Sequence, residues 1–229
     1  MTKIIRMNKA FYCCFAAMLL QYNHTLLAAD LSCPNPSGGT NGGSSGQFGP
    51  FDYRDPSVRT GPSNPLHLVE SAHFTAEVAT LTRGQSGYLA GDLSYTLRAF
   101  PNHHRALQSL ADLGIRDKIS KPDHLPYTIP CFFIRAKNYA PTDGMVNAVF
   151  AYYLAYMNQK DMALTEVEQA IKKAGNNPRI YYDIGLAYYY IGDYNKAMES
   201  SEIAKKLGSS AVGLDTLLSQ VIHKNNVKR

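Results

Sequence analysis

Four histidines, one aspartate and one serine are the residues of this chain whose types suit proton transfer or metal binding. His73, Asp92 and His124 are spread along its middle, and His103-His104 form an adjacent pair. Neighbours on a helix point about 100° apart, so His103 and His104 do not readily share one metal ion. They read instead as the start of a helix or as surface residues. Ser86 lies in Gly84-Gln85-Ser86-Gly87, which lacks the Gly-x-Ser-x-Gly elbow and any strand leading into it, so it reads as a turn residue. No Gly-rich phosphate loop, His-Glu-x-x-His pair or acidic calcium loop occurs. The expectation is a chain with no catalytic residues, no metal and no cofactor. An enzyme working through the 84–128 region is the weaker alternative.

Cysteine placement adds a constraint. Of four cysteines, Cys13 and Cys14 fall in the leader described below, leaving Cys33 and Cys131. In an oxidising compartment these two can form a disulfide. The other reading is an exposed thiol at Cys33 and a buried Cys131 acting as a small hydrophobe. Neither Cys-x-x-Cys nor Cys-x-x-Cys-His is present, which leaves no zinc-ribbon or c-type haem signal.

The elements that would carry these residues follow from composition. The chain has 229 residues, 45% of them hydrophobic and 18% charged, enough to bury a core. Its net charge is +5, but Lys3, Arg6 and Lys9 supply three of those charges, and no acid precedes Asp30. The remainder is nearly neutral, so nothing favours a nucleic-acid partner. Those three cations precede the apolar stretch from Ala10 to Leu20, and Ala28-Ala29 follow just before Asp30. Positive, apolar, small is the order of a secretory signal, expected at residues 1–29. The chain is therefore expected to be exported, to a periplasm or the cell exterior. Uncleaved retention as an anchor is the alternative. No apolar run reaches the length of about 18 residues that a membrane span needs, so no stable span is expected after removal of the signal.

Residues 34–50 are dominated by Gly and Ser and read as a flexible tether. With the following segment, which carries Phe51 and Tyr53 and can dock on the body, they form an expected tether and extended arm over 30–64. Helical spacing begins at Pro65, with Asn64 as cap and proline at the first helical position. Leu66, Val69, Phe74, Val78 and Leu81 share a face and predict one helix that Gly84 to Gly87 end. Leu89, Leu93, Leu97 and Phe100 predict a second, ended by Pro101-Asn102.

The second half repeats itself. At an offset of 34 residues, Ala151 aligns with Gly185, Leu154 with Tyr188, Ala163 with Ala197, Glu168 with Glu202, Ala170 with Ala204 and Lys172 with Lys206. Small residues recur where two helices must approach, and large ones where they fill the gap. Residues 178–211 resemble the tetratricopeptide repeat (TPR) family on Tyr181, Ile184, Gly185, Tyr188, the Gly192-to-Ala197 turn and Ala204. The resemblance implies an all-α, right-handed α-solenoid of about four helix hairpins over 65–229. The repeats would be 65–101, 104–143, 144–177 and 178–211, followed by a capping helix at 212–223. Arg116 to Thr128, with Pro122 and Pro126, would form a long loop inside the second repeat, before a helix from Pro130 to Tyr139 with Cys131, Phe133 and Ala136 inward.

It further implies a concave surface lined by the first helix of each hairpin. Arg105, Gln108, Asp112 and Arg116 would line it from one hairpin, and Met145, Ala148, Tyr152, Ala155 and Tyr156 from the next. Arg179, Tyr182, Leu186, Tyr189 and Tyr190 would follow from the third. Ala151, Ala163, Ala170, Gly185, Tyr188, Ala197 and Ala204 would be the packing positions. Tyrosines combine apolar area with a polar tip at low entropic cost, which suits recognition of a protein or peptide. The alternatives are that they stack on one another to close a narrow superhelix, or that the N-terminal arm fills the groove. The carboxylate clamp of some TPR modules is not reproduced, since Ser109, Val149 and Asp183 stand where an Asn is required. The expected role is an adaptor or assembly factor, with a self-associating structural subunit as the alternative.

Overall fold

The computed structural model describes Cys33, residues 48–61 and residues 63–227. The expected signal, most of the tether and the last two residues lie outside them. By internal contacts the chain divides into Met1–Cys33 and Pro34–Arg229, and the account below concerns the second unit. Among the described residues all regular structure is helical, and no helix is long and apolar enough to cross a membrane.

A 3₁₀ turn over Pro56–Arg59 precedes ten α-helices among those residues. They are α1 (Pro65–His73), α2 (Ala76–Ala79), α3 (Leu89–Ala99), α4 (His104–Asp117) and α5 (Ile129–Tyr139), then α6 (Gly144–Tyr156), α7 (Lys160–Lys173), α8 (Pro178–Ile191), α9 (Tyr194–Lys206) and α10 (Gly213–Val227). The caps are local chemistry. Asn64, Asp143, Asn177 and Asp193 each accept a backbone N–H of the helix they open, satisfying donors that have no partner within the helix. Pro65 and Pro178 occupy first helical positions.

Packing is mostly between neighbours. Helices α6 and α7, and α8 and α9, pack as hairpins across short turns, and α4 lies on α6 as α6 lies on α8. Of the expected packing positions, Ala151, Ala163, Ala170 and Ala197 are fully buried, Ala204 nearly so, and Gly185 buried. Tyr188 is only half-buried, under Lys196, whose ammonium stands 5.3 Å from the ring centroid. A Cβ at Gly185 would lie 2.4 Å from Leu214 Cδ2, itself fully buried. Gly185→Ala is therefore expected to force Leu214 of α10 from its place and cost about 1–2 kcal/mol. An unchanged midpoint in urea denaturation would contradict this close approach.

The first expected helix is not continuous. It stops at His73, and Phe74 and Thr75 leave helical geometry before α2 begins. The reason is that its residues serve two cores. Leu66 and Val69 pack with Val58, Ala99 and Phe100, whereas Phe74 and Val78 belong to the main core with Leu93, Leu97 and Leu107. The bend delivers each pair to its own cluster. The long loop runs from 118 to 128, and α5 buries Cys131, Phe133 and Ala136 as expected. Cys33 and Cys131 are both in the disulfide-bonded form. Helix α10 is longer than the predicted cap. It buries Leu214 and Leu218, while Val212, expected at its start, is 70% exposed ahead of it.

Helix α6 is buried along almost its whole length because α4, α5, α7 and α8 all pack on it. Tyr153 pays for this, being 2% exposed with a hydroxyl that has no hydrogen-bond partner. Burial pushes that hydroxyl's pKa well above the ordinary tyrosine range. Tyr153→Phe is expected to raise stability by about 1 kcal/mol by removing an uncompensated polar group. A fall in the denaturation midpoint would mean that the hydroxyl is bonded.

Candidate functional site

Side chains from α4, α6 and α8 meet in a polar ladder. Gln108 Nε2 and the Tyr152 hydroxyl each donate to Asp112 Oδ1 at 3.1 Å. Arg179 donates from NH2 to Gln108 Oε1 at 3.0 Å and from Nε to both oxygens of Asp183 at 3.1 Å. Asp183 is fully buried, and Arg179 lies across it with its guanidinium 5.5 Å from the Tyr182 ring centroid. Burial pushes the Asp183 carboxyl up to about 6, against the opposing pull of Arg179. Burial likewise raises the Asp112 carboxyl above its ordinary range.

Beside this ladder the tyrosines touch one another. Tyr190 lies 5.9 Å from Tyr152, 4.8 Å from Tyr156 and 5.2 Å from Tyr189, and Tyr189 lies 5.6 Å from Tyr194. Most of these pairs meet edge-on or tilted, the favoured arrangement for aromatic quadrupoles. Tyr156 and Tyr194 are exposed, and Tyr182, Tyr189 and Tyr190 are half-buried. Gln108, Tyr152, Tyr156, Arg179, Tyr182, Tyr189 and Tyr190 are thus brought into one neighbourhood. No family model, curated protein or solved structure matches this chain.

Other expected lining residues are placed differently. Met145, Ala148 and Ala155 are buried in the core, because α6 has neighbours on every side. Tyr152 is only 9% exposed, a post supporting the ladder and not a free contact. Leu186 is half-buried against the core. Arg105 is exposed but turned over the Phe74 ring at 5.2 Å. Arg116 is engaged by Asp117 and the Leu81 carbonyl.

The scattered residues of the middle segment also acquire positions. His73 Nδ1 lies 2.9 Å from Asp92 Oδ1 and 3.2 Å from Ser86 Oγ. A serine hydrolase needs its serine and its aspartate on opposite ring nitrogens; here both crowd one. Asp92 Oδ2 accepts the Gln85 and Ser86 backbone N–H groups, so the cluster clamps the 84–87 turn onto α3. His103 caps α4: its Nδ1 accepts the Ala106 N–H at 3.1 Å and its Nε2 donates to Glu70 at 3.1 Å. Burial holds its pKa below the ordinary histidine range, in keeping with that neutral tautomer. His124 stacks on Tyr88 with ring centroids 3.5 Å apart. Among the described residues no three His, Cys, Asp or Glu side chains gather to hold a metal ion.

The docked arm is anticipated in the sequence, but the network that receives it is not. The arm over 48–59 lies on the body, with Phe51 N–H on the Ala99 carbonyl, Tyr53 N–H on Asn102 Oδ1, and the Tyr139 hydroxyl on the Pro50 carbonyl. Gly49 makes the approach possible, since a Cβ there would sit 2.5 Å from the Ala99 oxygen. Tyr53 packs at a tilt against His103, and Phe51 against Phe100. The aromatic pair at 51 and 53 was the available signal, but only the fold supplies its receptor.

Proposed function

We propose that this chain is an exported helical-repeat protein of TPR type that docks a protein or peptide partner on the tyrosine face of α6 and α8. The observation that carries this reading is the run of tyrosines from Tyr156 through Tyr190 and Tyr189 to Tyr194, in continuous ring contact and exposed at both ends, Tyr156 and Tyr194. Monomers seldom leave contiguous aromatic area exposed without a use for it. Tyr190, in the middle of the run, lies against Tyr152, which the ladder fixes through Asp112. This ring therefore has little freedom left to lose on binding, which favours affinity. An adaptor or assembly role follows, without catalysis.

Crosslinking in the native compartment tests it. The Tyr156→Ala/Tyr189→Ala double variant is expected to keep its helical circular dichroism and lose the partners that the wild type captures. Equal capture by both proteins would sink the docking role, and a stable oligomer in light scattering that dissociates in the variant would identify the partner as another copy. Export itself rests on Lys3, Arg6, Lys9 and Ala28-Ala29. It predicts a mature N-terminus at Asp30, read by N-terminal sequencing.

A further inference from the structure

The polar ladder leaves charge unbalanced. Asp112 receives hydrogen bonds from Gln108 and Tyr152, both uncharged and both on Oδ1. Among the described residues no donor reaches its other oxygen. The one guanidinium in the ladder, that of Arg179, makes its hydrogen bonds elsewhere, with Nε on both oxygens of Asp183 and Nη2 on Gln108, and acts on Asp112 only through its charge. Two carboxylates therefore share a single cation. The other cations of α4 are occupied: Arg105 lies over Phe74, and Arg116 is paired with Asp117 at 2.7 Å. The tyrosines adjoin this surplus negative charge. Tyr152, bonded to Asp112, is 5.9 Å from Tyr190, which is 4.8 Å from Tyr156. Aromatic faces attract cations, and the attraction grows where water is partly excluded.

Resting on the docking reading above, we propose that the tyrosine face receives a single arginine or lysine side chain of the partner. Its charged head meets the unused oxygen of Asp112, and its aliphatic stem crosses the Tyr190 and Tyr156 rings. The complementarity is one of charge as well as shape: a cation balances the second carboxylate of the ladder, whereas an anion would be repelled by it. Arg105, two turns earlier on α4, works against a run of adjacent cations, so one basic residue in a neutral stretch fits better than a polybasic segment.

The test titrates the full mature chain with N-acetyl-arginine amide, N-acetyl-lysine amide, N-acetyl-glutamine amide and N-acetyl-glutamate amide, following tyrosine ring resonances by NMR. Saturable shifts at Tyr156 and Tyr190 are expected with the two cations only. Asp112→Asn keeps acceptors for Gln108 and Tyr152 and is expected to weaken the response at least tenfold. Tyr156→Leu, at an exposed position, is expected to weaken it severalfold and guards against a misfolded first variant. An equal response to the glutamine derivative, a response to glutamate, or an undiminished response in both variants would overturn the proposal. Partner capture that survives Asp112→Asn but fails in Tyr156→Ala/Tyr189→Ala would refute the cation site while leaving the docking face standing.

Discussion

Asp143→Ala is expected to lower stability by about 3–4 kcal/mol and to release the N-terminal arm. The carboxylate is 4% exposed. Its Oδ1 caps α6 by accepting the Met145 N–H at 3.1 Å. Its Oδ2 accepts from His104 Nε2 at 2.8 Å and Asn102 Nδ2 at 2.9 Å, and Arg54 Nε of the arm lies 3.5 Å away. Losing the cap costs about 1 kcal/mol, and each buried donor left without its acceptor about 1 kcal/mol more. The arm depends on the same hub. Asn102, fully buried, also donates to Asp52 at 2.7 Å and accepts from Tyr53 N–H, so a displaced Asn102 loosens both arm contacts. Urea denaturation measures the loss, and faster tryptic cleavage after Arg54 and Arg59 reports the release. Unchanged cleavage alongside lost stability would mean that the apolar contacts of Phe51 hold the arm without the hub.

The pH dependence of this hub has a definite sign. Burial works to raise the Asp143 carboxyl, but hydrogen bonds from His104 and Asn102 and the charges of His104 and Arg54 outweigh it and hold the group below the ordinary range. Its stabilising contribution is therefore present above the unfolded carboxylate pKa, near 4, and fades as pH falls through the depressed folded value. The gap between wild type and Asp143→Ala should narrow in acid.

Asp183→Asn is expected to behave in the opposite sense. With its folded carboxyl pushed up to about 6, the native chain retains a proton that the unfolded chain releases between about pH 4 and pH 6. Stability then falls as pH rises through that window, by roughly 2–3 kcal/mol. Asparagine offers an oxygen to Arg179 and carries no charge to desolvate. Relative to wild type, the variant should gain that amount between pH 4 and pH 7. Equal pH profiles would show that Arg179 fully compensates the buried charge. The observed burial makes the site a place where stability is given up for a fixed guanidinium, whose orientation sets the polar floor beneath the tyrosines.

Much of the helical scaffold is legible residue by residue, because its signals are local. Asn64-Pro65 and Asn177-Pro178 mark helix starts through cap chemistry confined to one turn. The alternation of small and large residues around Ala163, Ala197, Gly185 and Leu218 places the buried faces. The candidate site is legible in part: Tyr156, Tyr182, Tyr189 and Tyr190, picked out from the repeat resemblance, keep some exposure to solvent. Met145 and Tyr152 do not remain accessible, since helical register assigns a face but not the number of neighbours covering it. Asp92 and Asp143 were invisible as organisers for a related reason. Their partners, His73 and Ser86 for one, Asn102, His104 and Arg54 for the other, are 6 to 89 residues away in sequence.

By itself, then, the amino-acid order determined that the described chain is helical, where most of its helices begin, and which small residues let neighbouring helices meet, because turn chemistry and a period of 3.6 act within a few residues. Tertiary structure alone decided that α6 is enclosed on all sides, that the first predicted helix bends to feed two cores, which groups receive the arm, and that Asp112 keeps one oxygen unspent. Each of those outcomes depends on distances between segments far apart in the chain, which no local pattern encodes.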